Sequence, residues 1–593
     1  MRRALLLFSL LFVSPLQSAE RPNIVIFLTD DQGWGDLSVN GNTNLSTPNI
    51  DSLARDGVTL ENFYVCAVCA PTRAEFLTGR YHLRTGVTGV SEGAGRLNRD
   101  ETTIADLFNS NGYKTGAFGK WHNGTQSPYH PNDRGFDEFY GFTSGHWGHY
   151  FSPPLDHNGT KVRGEGYVVD DFTNKAISFI QENKDNPFFC YIPYNTPHSP
   201  MMVDDDFYAK FKDVDPELKY RDPEKEDIMM TRAALAMCEN IDWNVGRVLE
   251  KLEALNLAKN TIVVYFSDNG PNSFRWNGGM KGKKGSVDEG GLRSPFFLRW
   301  PGKVIAGQTI DRISGAIDLF PTLAKLTGIE PESNYPIDGD SFASHLLGKF
   351  QSHEPTRILF SSWGKRNTAR EGDFRLDQKG QLFNIKEDRG QHHDCSDQHP
   401  EIKKRLTTAL SLYREKMKSE GSRSTNRPFT VGYSESTTLP ARDGRAREAL
   451  PGIKVGIRRS SKAPNNSFFE NWTEETDAIT WSIETAETGT FEAIVYYTCR
   501  PEDTGVSVEL AFAAEGSPAK ASTRATVTET FDPPLYDKSK ERVAESHYFV
   551  KDFKPLSLGT LELKAGKGTL TLGNATMVGT EAIDVHSIEL IRK

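Results

Sequence analysis

Two polar pairs stand directly behind short apolar runs: Asp30-Asp31 follows NIVIFLT and Asp268-Asn269 follows TIVVYFS. Four hard oxygen donors of this kind suit Ca²⁺ or Mg²⁺ and not zinc, which prefers His and Cys. The same residue types also cap helices and turns, so the pairs alone leave both readings open. A second chemistry-bearing stretch is CAVCAPTRAEFLTGR, residues 66–80. Pro71 suits the first turn of a helix, which puts Cys69 at or just before its N-terminus. Free N–H groups there favour a thiolate or a bound oxyanion, and Arg73 adds a fixed positive charge. A redox pair should open its helix between the two cysteines, and a zinc clip needs a second pair that the chain lacks. A Cys66–Cys69 disulfide or two buried thiols stays open on these grounds.

Single cations and imidazoles are scattered further along: Lys120 and His122 in GKWH, His198 in TPHSP, Lys284 in KGKK. Taken singly, each such residue is most often solvated or hydrogen-bonded structurally. His146 and His149 in GHWGHY are candidates for substrate or zinc contact, with Trp147 and Tyr150 suited to sugar stacking. The alternative is an aromatic loop that simply packs. His392 and His393 read as a polar surface turn.

The elements that must position these residues are legible in part. NIVIFL and TIVVYF are continuous β-branched runs too short for helices, hence buried strands. Helical patterns at TTIADLFNSNG, DFTNKAISFIQEN and NVGRVLEKLEAL alternate with further strand patterns at YKTGAFGKWH and PFFCYIPYNTPH. Such alternation predicts a mainly parallel sheet covered on both faces, with ligands beyond the carboxyl ends of its strands. From 354 the pattern changes to RILFSSW, FRLDQKGQLFNI and a helix at PEIKKRLTTALSLYREKMKSEG, a small sheet with a packing helix. Residues 421–428 are a polar linker. Beyond it, short alternating runs such as AITWSIET and TFEAIVYYTC predict a β-sandwich over 429–593.

The opening, MRRALLLFSLLFVSPLQSAE, has the layout of a cleaved secretory signal, assigned to residues 1–19. No later run reaches the ~18 apolar residues of a membrane span, so an exported, periplasmic or secreted protein without stable membrane insertion is expected. Six cysteines in 593 residues do not make a disulfide scaffold, and a net charge of -9 argues against a nucleic-acid partner.

Cys69-Ala70-Pro71-Thr72-Arg73 followed by Leu77-Thr78-Gly79-Arg80 resembles the signature of the type I, formylglycine-dependent sulfatases of the alkaline phosphatase superfamily. RPNIVIFLTDDQGWGD, YKTGAFGKWH, TPHSP, FSDNGP and KGKKGSVDEGGLRSP resemble its other blocks, so the likeness spans about residues 21–418. Thr72 departs from the Ser that many members carry. The family's fold is an α/β sandwich around a mixed, mainly parallel sheet with a small C-terminal subdomain. Applied here it implies a catalytic unit over 20–353 and a subdomain over 354–420. The segment from 429 lies outside the family pattern and resembles the β-rich appendages of some bacterial exported sulfatases.

By this resemblance, a maturation enzyme converts Cys69 to Cα-formylglycine, and Asp30, Asp31, Asp268 and Asn269 hold one Ca²⁺ together with position 69. Arg73, Lys120, His122, His198 and Lys284 would surround the aldehyde hydrate and the sulfate. One hydroxyl of the hydrate attacks sulfur, and the second then expels sulfate to restore the aldehyde. His198 is assigned to the leaving oxygen beside Lys284, and His122 to a hydroxyl proton. Lys284 is chosen over Lys281 and Lys283 from its spacing to Glu289-Gly290-Gly291. The expected substrate is a sulfate ester on a carbohydrate. The rival expectations are a phosphonate or phosphodiester hydrolase of the same superfamily, and a glycan-binding protein whose sulfatase-like unit is silent.

Overall fold

The computed structural model describes residues 21–349, 357–420, 427–446, 456–460, 467–518, 520–543 and 550–593. The expected signal segment and residues 421–426 of the expected linker lie outside them. Among the described residues no helix is long and apolar enough to cross a membrane.

A ten-stranded sheet organises the first half of the chain. At its centre Asn23–Thr29 lies between Thr261–Ser267 and Phe188–Pro193, parallel to both. Lys114–Lys120 and Glu138–Phe142 continue the parallel set on one side. The antiparallel Phe296–Arg299 strand lies on the other side, with Val58–Leu60 and Gln308–Ile310 beyond it, and the Pro154–His157 and Thr160–Arg163 hairpin extends the far edge. The central strands are buried on both faces and are apolar along most of their length. Ile24, Ile26 and Leu28 join one apolar cluster with the helices Cys69–Thr78, Ile104–Ser110 and Leu319–Thr327. Val25 and Phe27 join the opposite one with Val168–Glu182 and Ile228–Ala254. The mixed, mainly parallel α/β sandwich expected from the sequence is thus present.

The helix read at NVGRVLEKLEAL is only the end of a 27-residue helix, Ile228–Ala254. Its first half, rich in Ala, Met and Cys, is buried over most of its circumference. A segment apolar nearly all round shows no amphipathic stripe to read.

The subdomain is a four-stranded antiparallel sheet from Ile358–Trp363 to Leu382–Asn384, covered by the helix Pro400–Glu420. Strand Arg366–Glu371 has a polar sequence that carried no strand signal. Past residue 427, two six-stranded sheets enclose a separate apolar core that includes Trp481, Phe491, Leu510 and Leu572. Alternate residues of Ile479–Thr485 point into it, with Ile479, Trp481 and Ile483 fully buried.

Candidate active site

Strand register assembles the acidic group. Thr29 pairs with Ser267 on adjacent parallel strands, so Asp30-Asp31 and Asp268-Asn269 leave the sheet side by side. All four are buried. Asp31 takes a left-handed φ of 67°, uncommon for a residue with a side chain. Its N–H donates to Asp268 Oδ1 at 3.2 Å, and Asn269 Nδ2 donates to Asp31 Oδ1 at 2.8 Å.

The helix Cys69–Thr78 brings position 69 to the same edge, and all ten of its residues are buried. Its N-cap, Val68, is extended and offers no side-chain cap, so the first-turn N–H groups have no side-chain acceptor there. The helix stops at Gly79, φ 68°, where a Cβ would lie 3.0 Å from Phe320. Arg73 forks onto Asp268 Oδ2, with Nε at 3.2 Å and Nη2 at 2.8 Å, while Nη1 donates to the Lys120 carbonyl at 2.6 Å. One guanidinium therefore fastens the helix to two strand ends. Thr72 does the same with its hydroxyl, which accepts from Cys66 N–H at 2.8 Å and donates to the Asp268 carbonyl at 2.6 Å. A serine hydroxyl could make the same bonds, so the departure at Thr72 leaves this tether intact.

Lys120 Nζ pairs with Asp30 Oδ2 and Lys284 Nζ with Asp31 Oδ1 at 2.6 Å. Lys281 turns to Asp288, and Lys283 donates to the Asn272 carbonyl, so of the three lysines Lys284 is the one at the acidic group. His198 Nε2 lies 3.7 Å from Asp31 Oδ2, and its Nδ1 is 2.7 Å from the Ser199 carbonyl. His146 Nδ1 stands 3.4 Å from His198 Nδ1. His122, at φ 65°, points Nε2 at the Val90 carbonyl, 2.8 Å away. A carbonyl only accepts, so that nitrogen carries the proton and Nδ1 is a bare acceptor. Among the described residues His122 Nδ1 has no hydrogen-bond partner. A Cβ on Gly145 would fall 1.9 Å from the His122 ring, so only glycine fits against it.

The structure separates His149 from this group: its ring lies against Phe151 and Tyr536. Tyr150 corrects the sugar-stacking expectation. It is buried, and its hydroxyl lies 3.0 Å from the carbonyls of both His198 and Ser199, bracing the turn that holds His198. Trp147 stacks on Phe142. His392 is at the surface beside Arg221, and His393 is exposed. The clamp at Glu289 escaped sequence reasoning. It accepts from Tyr64, Arg293 and Arg375, and no spacing links Arg375 to it because that residue lies in the small sheet.

Burial works to raise the Asp30 carboxyl, but Lys120, then His198, Arg73 and Lys284, hold it well below the usual range. Burial and the Asp30 charge push Asp268 up, against the pull of Arg73 and Lys120. Burial lowers His122, His146 and His198, aided by Lys120 at the first and Lys284 at the last, and so favours the neutral imidazole at each. Burial also raises the Cys69 thiol, which makes an unmodified cysteine a poor nucleophile here. All six cysteines are free thiols, which removes the Cys66–Cys69 disulfide.

The donor set fits a hard divalent cation. Asp30 Oδ1 and Asn269 Oδ1 are buried with no hydrogen-bond partner among the described residues, the kind of orphaned oxygen a cation would satisfy. Asp30, Cys69 and Asp268 offer ligand atoms within 4.8 Å of one another. Three carboxylates already face Arg73, Lys120 and Lys284. Two further positive charges would be matched by an anionic monoester and an ionised group at position 69.

Residues 22–329 match the Sulfatase family model. N-acetylgalactosamine-6-sulfatase of Mus musculus is 32% identical over 385 residues, covering 59% of this chain and 71% of its own. Steryl-sulfatase of Homo sapiens is 30% identical over 448 residues, covering 59% and 74%. The crystal structure of Ps i-CgsB in complex with k-i-k-neocarrahexaose superposes with a TM-score of 0.60 at 30% identity, covering 66% of this chain and 93% of that one. With the family model spanning more than half of the sequence, the chain belongs to the sulfatases, sulfuric ester hydrolases of the alkaline phosphatase superfamily.

Proposed function

We propose that the protein hydrolyses a sulfate ester on a carbohydrate, with Cα-formylglycine formed from Cys69 as nucleophile and one Ca²⁺ held by Asp30, Asp31, Asp268 and Asn269. The observation that carries the reading is the position of residue 69, at an uncapped helix N-terminus beside three buried carboxylates that three cations balance. When bound, calcium would supply positive charge against sulfate and favour an ionised hydroxyl at position 69. The aldehyde, once hydrated, would supply a hydroxyl for attack and a second one for release.

The chain's own residues account for binding and proton movement. Lys284 and Lys120 present ammonium groups to an anion at the strand ends, and Arg73 holds the nucleophile's helix against Asp268. His122 accepts a proton at Nδ1, since its Nε2 is committed to Val90. His198 gives Nδ1–H to the Ser199 carbonyl, which leaves Nε2 facing Asp31. An anionic ester there favours the imidazolium against burial, and Nε2–H then protonates the leaving alcohol. A carbohydrate substrate draws support from the names of the N-acetylgalactosamine-6-sulfatase relative and the neocarrahexaose complex. Export, with residues 1–19 removed, belongs to the same reading, and N-terminal sequencing of native protein tests it. The catalytic unit is taken as 20–353, the subdomain as 354–420 and the accessory unit as 429–593.

Mass spectrometry of the tryptic peptide from Asp56 to Arg73, isolated from the native host, tests the nucleophile. Aldehyde at position 69 supports the reading; a plain cysteine throughout would turn it toward a silent, glycan-binding protein. Rates on matched sulfate and phosphate esters separate the superfamily rival, because faster phosphodiester turnover would replace the sulfatase assignment.

A further inference from the structure

The loop that carries His146 to the His198 imidazole continues directly into the wall of a second space. Trp147, Gly148 and His149 line a cavity of about 550 Å³ between the edge hairpin of the large sheet and the terminal β unit. That volume lies within the range of small-molecule sites, roughly 300–1,000 Å³. The terminal unit contributes Arg442, Tyr496, His586 and Glu589, and the hairpin contributes Lys161. A narrow cleft beside His122 shares Thr125, Thr143 and Arg442 with the cavity, so the two spaces have a common wall.

Resting on the sulfatase reading above, we propose that this cavity is a subsite for the sugar rings flanking the sulfated residue of an anionic oligosaccharide, with the terminal β unit forming half of it. The lining combines flat faces with paired polar groups, the amphipathic mixture that a sugar ring presents in return. Lys161 Nζ sits 3.8 Å from the Tyr496 ring centroid and 3.2 Å from Glu589, and the Tyr496 hydroxyl donates to the same carboxylate at 2.7 Å. Arg442 Nη2 donates to Thr125 Oγ1 at 2.7 Å, which joins the terminal unit to the loop after His122. Three cations, Lys161, Arg442 and Lys551, line it against two carboxylates, Asp156 and Glu589, which leaves one positive charge in excess. Burial first, then Lys161 and Arg442, lower His586 to about 4. Burial and then Arg163 lower His149 to about 4, so both imidazoles are neutral hydrogen-bonding faces among cations. A chain bearing further sulfates matches that excess.

The test uses full-length, formylglycine-bearing protein. Initial rates are compared on 4-nitrophenyl sulfate, on sulfated monosaccharides, and on sulfated hexasaccharides from carrageenan and chondroitin sulfate. Wild type is expected to favour at least one hexasaccharide over its monosaccharide by about 10-fold in kcat/KM, a preference that one aromatic or cationic anchor can supply. Tyr496→Ala and Lys161→Gln each should erase it through KM, while Tyr496→Phe keeps most of it. Lys161 is half-exposed, so its variant keeps the test open if Tyr496→Ala lowers the melting temperature. Variants that retain the preference, or a wild type that shows none on either glycan, would overturn the subsite. A wild type that carries the aldehyde and hydrolyses none of these sulfate esters would overturn the sulfatase reading instead.

Discussion

Lys284 Nζ stands 2.6 Å from Asp31 Oδ1, and this pair orders the substrate side of the acidic group, because His198 Nε2 faces the other oxygen of the same carboxylate. Burial opposes the ammonium charge, yet Asp31 and then Cys69 and Asp30 hold it above the usual lysine range. Lys284→Ala should lower kcat/KM for 4-nitrophenyl sulfate by about 100-fold or more, the scale for losing one preorganised charge. Lys281→Ala, which touches Asp288 and not the acidic group, should stay within about 3-fold, the size of ordinary variation in surface effects. Equal losses in the two variants would remove Lys284 from its assigned place.

Asp30 and Asp268 share one buried site, where burial and the first charge drive the second carboxyl upward. A divalent cation relieves that conflict, so binding and stability are linked. Chelation with EGTA should abolish hydrolysis and lower the melting temperature, and calcium at about 100 times its dissociation constant should restore about 2.7 kcal/mol. Asp268→Asn also removes the negative charge opposite Arg73, and should need higher calcium for the same protection. A melting temperature indifferent to both EGTA and calcium would refute the cation.

What the sequence disclosed follows from which forces are local. NIVIFL and TIVVYF announce buried strands because each residue votes the same way, and the Asp and Asn that follow inherit their place from strand register. Thr72 and Arg73 were visible as motif residues, but their tether to Asp268 joins positions 195 and more residues apart. Val90, Gly145 and Arg375 left no mark, since a carbonyl, a missing Cβ and a guanidinium from another sheet act only after folding. The terminal β unit was legible as strands and silent about where it docks. Its Arg442 and Tyr496 carry no local pattern that points to the catalytic sheet.

Glu289 is the buried hinge pin between that sheet and the subdomain. Its carboxylate lies 3.0 Å from Arg293 Nη1, 2.8 Å from Arg375 Nη2 and 2.8 Å from the Tyr64 hydroxyl. Burial works against the charge, but Arg375, Arg293 and Arg370 lower the carboxyl to about 2. Glu289→Ala leaves buried guanidinium groups uncompensated and should cost about 3–5 kcal/mol in urea unfolding. Because the folded pKa is depressed, the wild-type contribution is present above the unfolded value near 4.5 and fades as pH falls toward 2. A change below about 1 kcal/mol, the level of an exposed ion pair, would show that the clamp is inert.

Glu75 carries the opposite sign. It sits inside the helix that begins at Cys69, close to Cys66, and accepts the His82 N–H at 3.2 Å. Burial, partly offset by that hydrogen bond, raises its carboxyl to about 8. Below the unfolded value of 4.5 both states are protonated and the stabilisation is complete. Between there and about 8 the unfolded chain ionises while the folded one keeps its proton, so stability drains away as pH rises. The full swing is at most on the order of 5 kcal/mol. Glu75→Gln keeps a carbonyl acceptor for His82 and has nothing to titrate. In calcium-saturated protein its melting temperature should stay flatter than wild type from pH 5 to 9, about the window set by these two values. Parallel curves for the two proteins would show that Glu75 ionises in the folded state at its ordinary pKa.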